Sequence, residues 1–243
     1  MMKIALACAE IRDEDMNFHL DEVERMAVLA QEQGVDFLIF GESYLQGFEA
    51  LTWNPEEDRE IAKPLYSTKI TRLKEIASTY GMAISIGFFE REEGVFYSSN
   101  LVIGQDGEIV DRFRRVSPGW KIADAPDVYK QGKGFHTFGL GDKTFATAIG
   151  KDLWFEENIQ ALRDLDMDAL IWPVYVDFSV GQWLSQELAD YVDQSAKLPC
   201  PVLWVNSYVE DPKRAKGGAY VFHNKGVLHN IPLGNKGLLV CEI

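Results

Sequence analysis

The stretch FATAIGKDLWFEE, residues 145–157, joins a short apolar run to a polar segment through a glycine. The apolar run predicts a buried strand over 145–149, and the residues after it predict a helix over Glu156–Asp166. A strand that turns sharply into a helix is the geometry of a nucleophile elbow, where backbone amides bind an oxyanion. Gly150 stands at the turn without a side chain, so on these residues alone a purely structural turn is the stronger interpretation.

The same alternation of strands and helices extends to both sides of this stretch. A strand over Lys3–Ala9 precedes a helix over Asn17–Gln33, with Asn17 as the expected N-cap. A second helix, over Ser67–Tyr80, is expected to end at Gly81. The other predicted elements are strands Val35–Phe40, Met82–Phe89, Val95–Gly104, Glu108–Phe113, Ala169–Trp172 and Pro201–Asn206, a helix Gly181–Leu198, and a C-terminal hairpin turning at Asn224–Gly226. This order predicts one α/β domain over residues 1–243.

Composition and charge argue against several classes of protein. The 243 residues include 24 Lys and Arg against 38 Asp and Glu, which gives a formal net charge of −14. This charge disfavours nucleic acids and anionic membrane surfaces as partners, because both are bound largely through Lys and Arg. No apolar run reaches the ~20 residues of a membrane span. Three cysteines without a CxxC spacing do not make a disulfide framework, so a reducing, cytoplasmic location is expected.

Two other strand ends carry charged residues. Glu42 follows an apolar strand and precedes an aromatic stretch, where a carboxyl of raised pKa suits a general acid or base. A Glu in solvent at the end of a strand is the alternative, and on this feature alone it is the commoner one. Arg112, Arg114 and Arg115 end a later strand, either as cations aimed into a pocket or as edge charges that oppose aggregation.

No metal ion or cofactor is expected. The four histidines lie in unrelated segments without HxH or HExxH spacing, and no glycine-rich phosphate-binding motif occurs. The aromatic residues around Trp172, Tyr175 and Trp183 are as consistent with a ligand pocket as with the core.

Taken together, these segments resemble the nitrilase superfamily, the carbon–nitrogen hydrolases. A family segment like PExxxxGY matches with Gly in place of Pro, and its Glu falls on Glu42. In a segment like DGxxxxxYRKxHL the Lys falls on Arg115, and in a segment like ICxDxxFPE the Cys falls on Gly150. Weaker matches are the GxxE at Gly87–Glu90, the pair Trp172-Pro173, and Asn206.

The resemblance implies both a fold and a chemistry. The implied fold is a single-domain, four-layer α-β-β-α sandwich, usually dimerised through its helices, so a homodimer or higher homo-oligomer is expected. The implied chemistry is attack by a Cys thiolate on an amide or nitrile carbon, with Lys stabilising the developing charge and Glu moving the proton. Only Glu42 keeps the family's residue type. Gly150 cannot form a thioester, and Arg115 cannot shuttle protons because its guanidinium does not deprotonate.

Three functions remain open on this basis. The first is a protein without Cys-dependent amidase activity that binds a small amide- or carboxylate-like ligand or serves as a partner subunit. The ligand contacts expected for it are Glu90, Lys151, Trp154 and Tyr175. The alternative is an active amidohydrolase in which Glu42 activates water or Lys151 is the nucleophile. The third is a structural dimer, in which aromatic side chains such as Trp154 or Phe178 plug the pocket.

Two structural hypotheses follow from the missing nucleophile. An elbow holds its residue in strained backbone geometry, which costs about 1–3 kcal/mol for a residue other than glycine. We therefore expect the chain to be more stable with Gly150 than with Gly150→Cys. We also expect Arg115 and Glu42 to form an ion pair, because an unpaired buried charge is costly.

Overall fold

A computed structural model of the protein describes residues 1–243. Two six-stranded sheets pack face to face, and helices lie on their outer faces. The arrangement is a single-domain α/β fold, and it confirms the α-β-β-α sandwich expected from the sequence.

The first sheet contains both ends of the chain. Its strands are β1 (Lys3–Cys8), β2 (Phe37–Ile39), β3 (Ala83–Glu92), β4 (Val95–Ile103), β5 (Ile109–Arg114) and β12 (Gly237–Glu242). The strand order is β12-β1-β2-β3-β4-β5. The central strands β1, β2 and β3 are parallel; β12 pairs antiparallel with β1, β4 with β3, and β5 with β4.

The second sheet repeats this plan. Its strands are β6 (Thr137–Leu140), β7 (Lys143–Thr147), β8 (Ala169–Val174), β9 (Val202–Asn206), β10 (Ala219–His223) and β11 (Gly226–Ile231). The strand order is β11-β10-β9-β8-β7-β6, with β7, β8 and β9 parallel. Each sheet thus has three parallel central strands, two antiparallel strands on one side and one on the other, so the second half of the chain echoes the first.

The helices connect the parallel strands and cover the sheets. They are α1 (Met16–Gln31), α2 (Pro55–Ile61), α3 (Thr68–Tyr80), α4 (Glu156–Arg163), α5 (Val180–Gln182) and α6 (Leu188–Ser195). A 3₁₀ turn, Gly150–Trp154, precedes α4, and a π-helical segment, Trp183–Glu187, joins α5 to α6. The long helix expected near the C-terminal third is therefore present but is interrupted by a wider turn. No helix has the combination of length and hydropathy that crossing a membrane requires.

Strand β1 shows how the core is divided. Ile4, Leu6 and Cys8 face the other sheet, whereas Ala5 and Ala7 face the layer of α1 and α3. Successive side chains of a strand point to opposite faces, so a strand covered on both sides must be apolar throughout. This is why β1 reads as a continuous apolar run in the sequence.

Both ends of α3 agree with the prediction, whereas the N-cap of α1 does not. The Ser67 side chain accepts a hydrogen bond from the backbone N of Ile70 at 3.4 Å, and Gly81 ends α3 at φ +61°, as expected. The expected N-cap at Asn17 was wrong. Asp15 caps α1 instead, because its Oδ1 accepts from the backbone N of Phe18 at 3.1 Å.

Candidate active site

The carboxyl ends of parallel strands from both sheets meet at a cavity of about 510 Å³. Six of the seven residues predicted for the site line it: Glu42, Arg115, Gly150, Lys151, Trp154 and Tyr175. A cavity of similar volume, about 550 Å³, lies between α1 and β12 and contains none of them. Because the chemistry-bearing side chains converge on the first cavity, we treat it as the candidate site.

An ion pair forms the floor of this cavity. Arg115 Nη1 donates to Glu42 Oε1 at 2.6 Å, and the two side chains are 2% and 1% exposed. Arg115 Nε also donates to Ser117 Oγ at 2.9 Å, while the backbone N of Tyr175 donates to Glu42 Oε2 at 3.2 Å. The ion pair expected between these two residues is therefore confirmed.

Asp152 is a second buried carboxylate beneath the cavity. Its two oxygens accept from the backbone N of Ser117 at 2.6 Å and from the backbone N of Ile149 at 2.9 Å. It thereby ties the turn at residue 150 to the segment that follows β5. Burial raises the pKa of Asp152, and burial likewise raises the pKa of Glu42 despite the opposing charge of Arg115. The charge of Asp152 adds to the effect of burial on the pKa of Glu42.

Gly150 adopts a backbone conformation that few other residues tolerate. Its φ is +53°, and its carbonyl accepts from Trp172 Nε1 at 2.8 Å. A Cβ built on it would lie 2.6 Å from Arg115 Nη1 and 2.8 Å from Glu42 Oε2. Such distances are shorter than non-bonded atoms allow, so the ion pair occupies the space that a side chain at position 150 would need.

The walls of the cavity are aromatic. Phe48 stacks on Tyr175 with ring centroids 4.5 Å apart and planes 3° from parallel. Trp154 packs edge-on against Tyr191 at 5.1 Å, and Phe178 also lies near Tyr191. These rings border an open volume, so Trp154 and Phe178 do not plug the cavity as a purely structural role would require.

Lys151 brings a free cation to the rim. The side chain is exposed and no acidic group pairs with it. A Cβ placed on Gly119 would lie 3.4 Å from Lys151 Cδ and 3.2 Å from Arg115 Nη2, so both cationic side chains pass close to Gly119. The aliphatic part of the Lys151 side chain therefore lies beside the same glycine as the Arg115 guanidinium.

Glu90, the seventh predicted residue, does not line the cavity. Its carboxylate accepts from Arg112 Nη1 at 2.8 Å, from Arg114 Nε and Nη2 at 2.9 and 2.6 Å, and from Ser99 Oγ at 2.7 Å. A carboxylate has about four acceptor positions, so these bonds leave no position for a ligand. The GxxE segment that suggested Glu90 instead marks a closed ionic cluster on β3, β4 and β5.

No thiol reaches the cavity. Cys8, Cys200 and Cys241 are all buried in the core, and burial raises the pKa of their thiols to about 12, about 11 and about 11. A thiol of that pKa is protonated at neutral pH and is a poor nucleophile. The chain also has no group of three or more His, Cys, Asp or Glu side chains placed to hold a metal ion.

Several residues of the site were not singled out from the sequence. Asp152 lies inside the quoted motif, but only the fold shows that it bridges two backbone segments. Phe48, Glu187 and Tyr191 line the cavity from segments that carry no motif of their own. The aromatic stretch after Glu42 was a usable signal for Phe48, whereas nothing local marked the other two.

Comparison with known proteins assigns the chain to a family. Residues 3–226 match the model of the family described as Carbon-nitrogen hydrolase. The chain belongs to the carbon–nitrogen hydrolase family. An N-carbamoylputrescine amidase from Solanum tuberosum is 26% identical over 181 residues, which cover 71% of this chain. An aliphatic nitrilase from Rhodococcus rhodochrous is 25% identical over 177 residues, or 69% of this chain.

The matched regions cover only part of those relatives, 57% of the potato protein and 47% of the nitrilase. Among solved structures, an amidase from Nesterenkonia sp. superposes with a TM-score of 0.82, at 17% identity, over 100% of this chain and 90% of that one. At this identity the likeness concerns the fold. That amidase has also been solved with butyramide, and with an acetamide moiety attached to its active site cysteine.

Proposed function

We propose that this carbon–nitrogen hydrolase homologue lacks the family's Cys-dependent amidase activity and binds a small amide- or carboxylate-like ligand in the cavity above Glu42 and Arg115. The observation that carries the proposal is the geometry at Gly150. The position matched to the family's nucleophile has no side chain, and the Arg115–Glu42 pair occupies the space beside it. Covalent catalysis by a thiolate requires a side chain that Gly150 lacks, and such a side chain would require the Arg115–Glu42 pair to move.

The cavity supports binding of a small polar ligand. Its volume of about 510 Å³ lies within the range of small-molecule sites, which is about 300–1,000 Å³. Aromatic walls supply apolar contact, and Arg115 and Lys151 supply donors for a carbonyl or carboxylate oxygen. The names of the relatives, amidases and a nitrilase, indicate that the family's sites accept groups of this kind.

A second candidate function is amide hydrolysis without a thiolate. It is favoured by the raised pKa of Glu42, since burial prepares that carboxyl to take a proton from water. Lys151, exposed and unpaired at the rim, is the other candidate nucleophile. Against it, Glu42 is already bonded to Arg115, and no group on the floor is placed to form a covalent intermediate.

The assembly and the location proposed with this function are a homodimer and the cytoplasm. The dimer rests on the family resemblance, and the location rests on the three free cysteines, which are typical of a reducing compartment. Sedimentation velocity of the purified chain at several concentrations tests the dimer, and a single monomeric species throughout contradicts it.

An activity screen decides between the two candidate functions. Purified protein is incubated with short amides, N-carbamoyl amino acids and ω-amides, and release of ammonia is measured. Glu42→Gln is the comparison, and Glu93→Gln, an exposed substitution outside the cavity, is the matched control. We expect no turnover in any of the three. Turnover in wild type and Glu93→Gln that disappears in Glu42→Gln overturns the proposal and establishes hydrolysis.

A further inference from the structure

Glu187 is a carboxylate without a partner on the cavity wall. The side chain is half-buried and lines the cavity, yet no hydrogen bond or ion pair joins it to another residue. The two buried carboxylates of this site do have partners: Glu42 has Arg115, and Asp152 has two backbone amides. A partly desolvated charge without a partner is unfavourable unless a bound group supplies one.

The backbone that presents Glu187 is unusual. It is the last residue of the π-helical segment Trp183–Glu187. Trp183 at the start of the segment is fully buried, and its Nε1 donates to Tyr220 Oη at 2.8 Å. The wider turn allows Trp183 to stay in the core while Glu187 and Tyr191, one turn later, line the cavity. Single π turns are rare and occur frequently at functional sites.

The cavity lining carries charges of both signs. Arg115 and Lys151 pass beside Gly119, and Arg115 is paired with Glu42. Glu187 and Asp177 also line the cavity, and neither carboxylate has a hydrogen-bond or ion-pair partner. The lining therefore offers donors for a carbonyl or carboxylate and unpaired carboxylates for a cation.

Tyr191 follows Glu187 by one helical turn, so the two side chains lie on the same face, and both line the cavity. Burial raises the pKa of the Tyr191 phenol, and the charge of Glu187 raises that pKa further. Its ring and the edge-on Trp154 provide aromatic surface near Glu187. An organic cation gains both from an unpaired carboxylate and from the face of an aromatic ring.

We propose that the ligand of this cavity carries an ammonium group, bound by Glu187 beside the Tyr191 ring, in addition to its amide or carboxylate group. The amide or carboxylate end contacts Arg115 and Lys151. This inference rests on the proposed function, because it assigns the ligand class of the same cavity.

The test uses two probes that differ only in the cation. Butyramide and 4-aminobutyramide have the same amide and the same carbon chain, and the second adds a terminal ammonium. Binding to the full chain is measured by isothermal titration calorimetry. We expect 4-aminobutyramide to bind at least tenfold more tightly than butyramide.

The variants assign that preference to Glu187. In Glu187→Gln the ratio of the two affinities should fall to about one, because 4-aminobutyramide loses the carboxylate that binds its ammonium group. Asp190→Asn, an exposed change on α6 outside the cavity, should keep the preference. Circular dichroism melts confirm that both variants fold, and Glu187→Asp, which keeps the charge, should retain most of the preference.

The outcomes separate this inference from the proposed function. Equal binding of both amides, or a preference that survives Glu187→Gln, overturns the ammonium site and leaves amide binding in place. If neither amide binds, and neither butyrate nor 4-aminobutyrate binds, then both the ammonium site and the proposed ligand class are wrong.

Discussion

Glu42 and Glu90 are equally buried, each 1% exposed, and each is bonded to arginine, yet only Glu42 lines the cavity of the candidate site. Glu90 accepts four hydrogen bonds, three from Arg112 and Arg114 and one from Ser99. Glu42 has one arginine, one backbone amide and a long contact of 3.4 Å from Ser98, and it lies beside a glycine. The difference shows that burial of a charge does not mark a site. What matters is whether the group's hydrogen-bonding capacity is already filled by the protein.

The largest expected effect is that of Glu90→Gln. The substitution leaves Arg112 and Arg114 with Glu92 as their only carboxylate. Breaking a buried ion pair destabilises by about 3–5 kcal/mol, and we expect about 3 kcal/mol here because both arginines are partly exposed. Urea denaturation measures the free energy of unfolding. Glu93→Gln, the exposed neighbour, is the control, and an equal loss in both variants contradicts the closed cluster at Glu90.

The next largest effect tests the crowding beside Glu42. Gly150→Ala is compared with Gly81→Ala, because both glycines have positive φ, +53° and +61°, but a Cβ on Gly81 meets nothing within 4 Å. Gly81→Ala should lower the free energy of unfolding by about 1 kcal/mol, because alanine is strained in the left-handed backbone conformation. Gly150→Ala should lower it by about 2–3 kcal/mol, since its Cβ must also displace Arg115.

Gly150→Cys belongs in the same series. It should melt below wild type and should gain no amidase activity, because the thiol and the Arg115 guanidinium need the same space. Thermal melts and ammonia release are the measurements. A Gly150→Cys protein that melts above wild type refutes the stabilising role of the glycine.

The smallest effect is expected for Glu42→Gln. It should lower the free energy of unfolding by about 1 kcal/mol at neutral pH, since Asp152 remains to offset the charge of Arg115. Its pH dependence has a definite sign. Burial raises the pKa of Glu42, so its contribution to stability is complete below about pH 4.3, the ordinary pKa of Glu, and is lost as pH rises through the raised value. The cost of Glu42→Gln should therefore shrink from pH 4 to pH 8. A cost that grows over this interval would mean that Arg115 lowers the carboxyl's pKa after all.

The parts of the fold that could be predicted from the sequence depend on local signals. Ser67 and Gly81 cap α3 through contacts with their own helix, so the sequence identified both. Helix α2 was not predicted, although its sequence carries two local start signals: Asn54 is the N-cap and Pro55 is the first helical residue. Strand β12 pairs with β1 from the other end of the chain, and no local pattern specifies such a partner.

The residues of the site likewise divide into those that sequence motifs identify and those that only the fold reveals. Motifs at the ends of predicted strands identify Glu42, Arg115 and Gly150, and the fold brings the three residues together. Glu90 was misplaced because a motif gives the position of a carboxylate but not the arginines that enclose it. Glu187 was missed because it reaches the cavity through a π-helical turn, which the helical periodicity of its segment does not reveal.

The 2.6 Å separation between a Cβ at position 150 and Arg115 Nη1 also makes two positions of the chain interdependent in evolution. A mutation that restores cysteine at 150 is penalised as long as arginine stands at 115, because both side chains need one space. Arg115 must first move aside or be replaced by a smaller residue, and its replacement leaves Glu42 without the arginine that it binds. Descendants of this sequence are thus separated from a thiol-dependent catalyst by substitutions whose order matters.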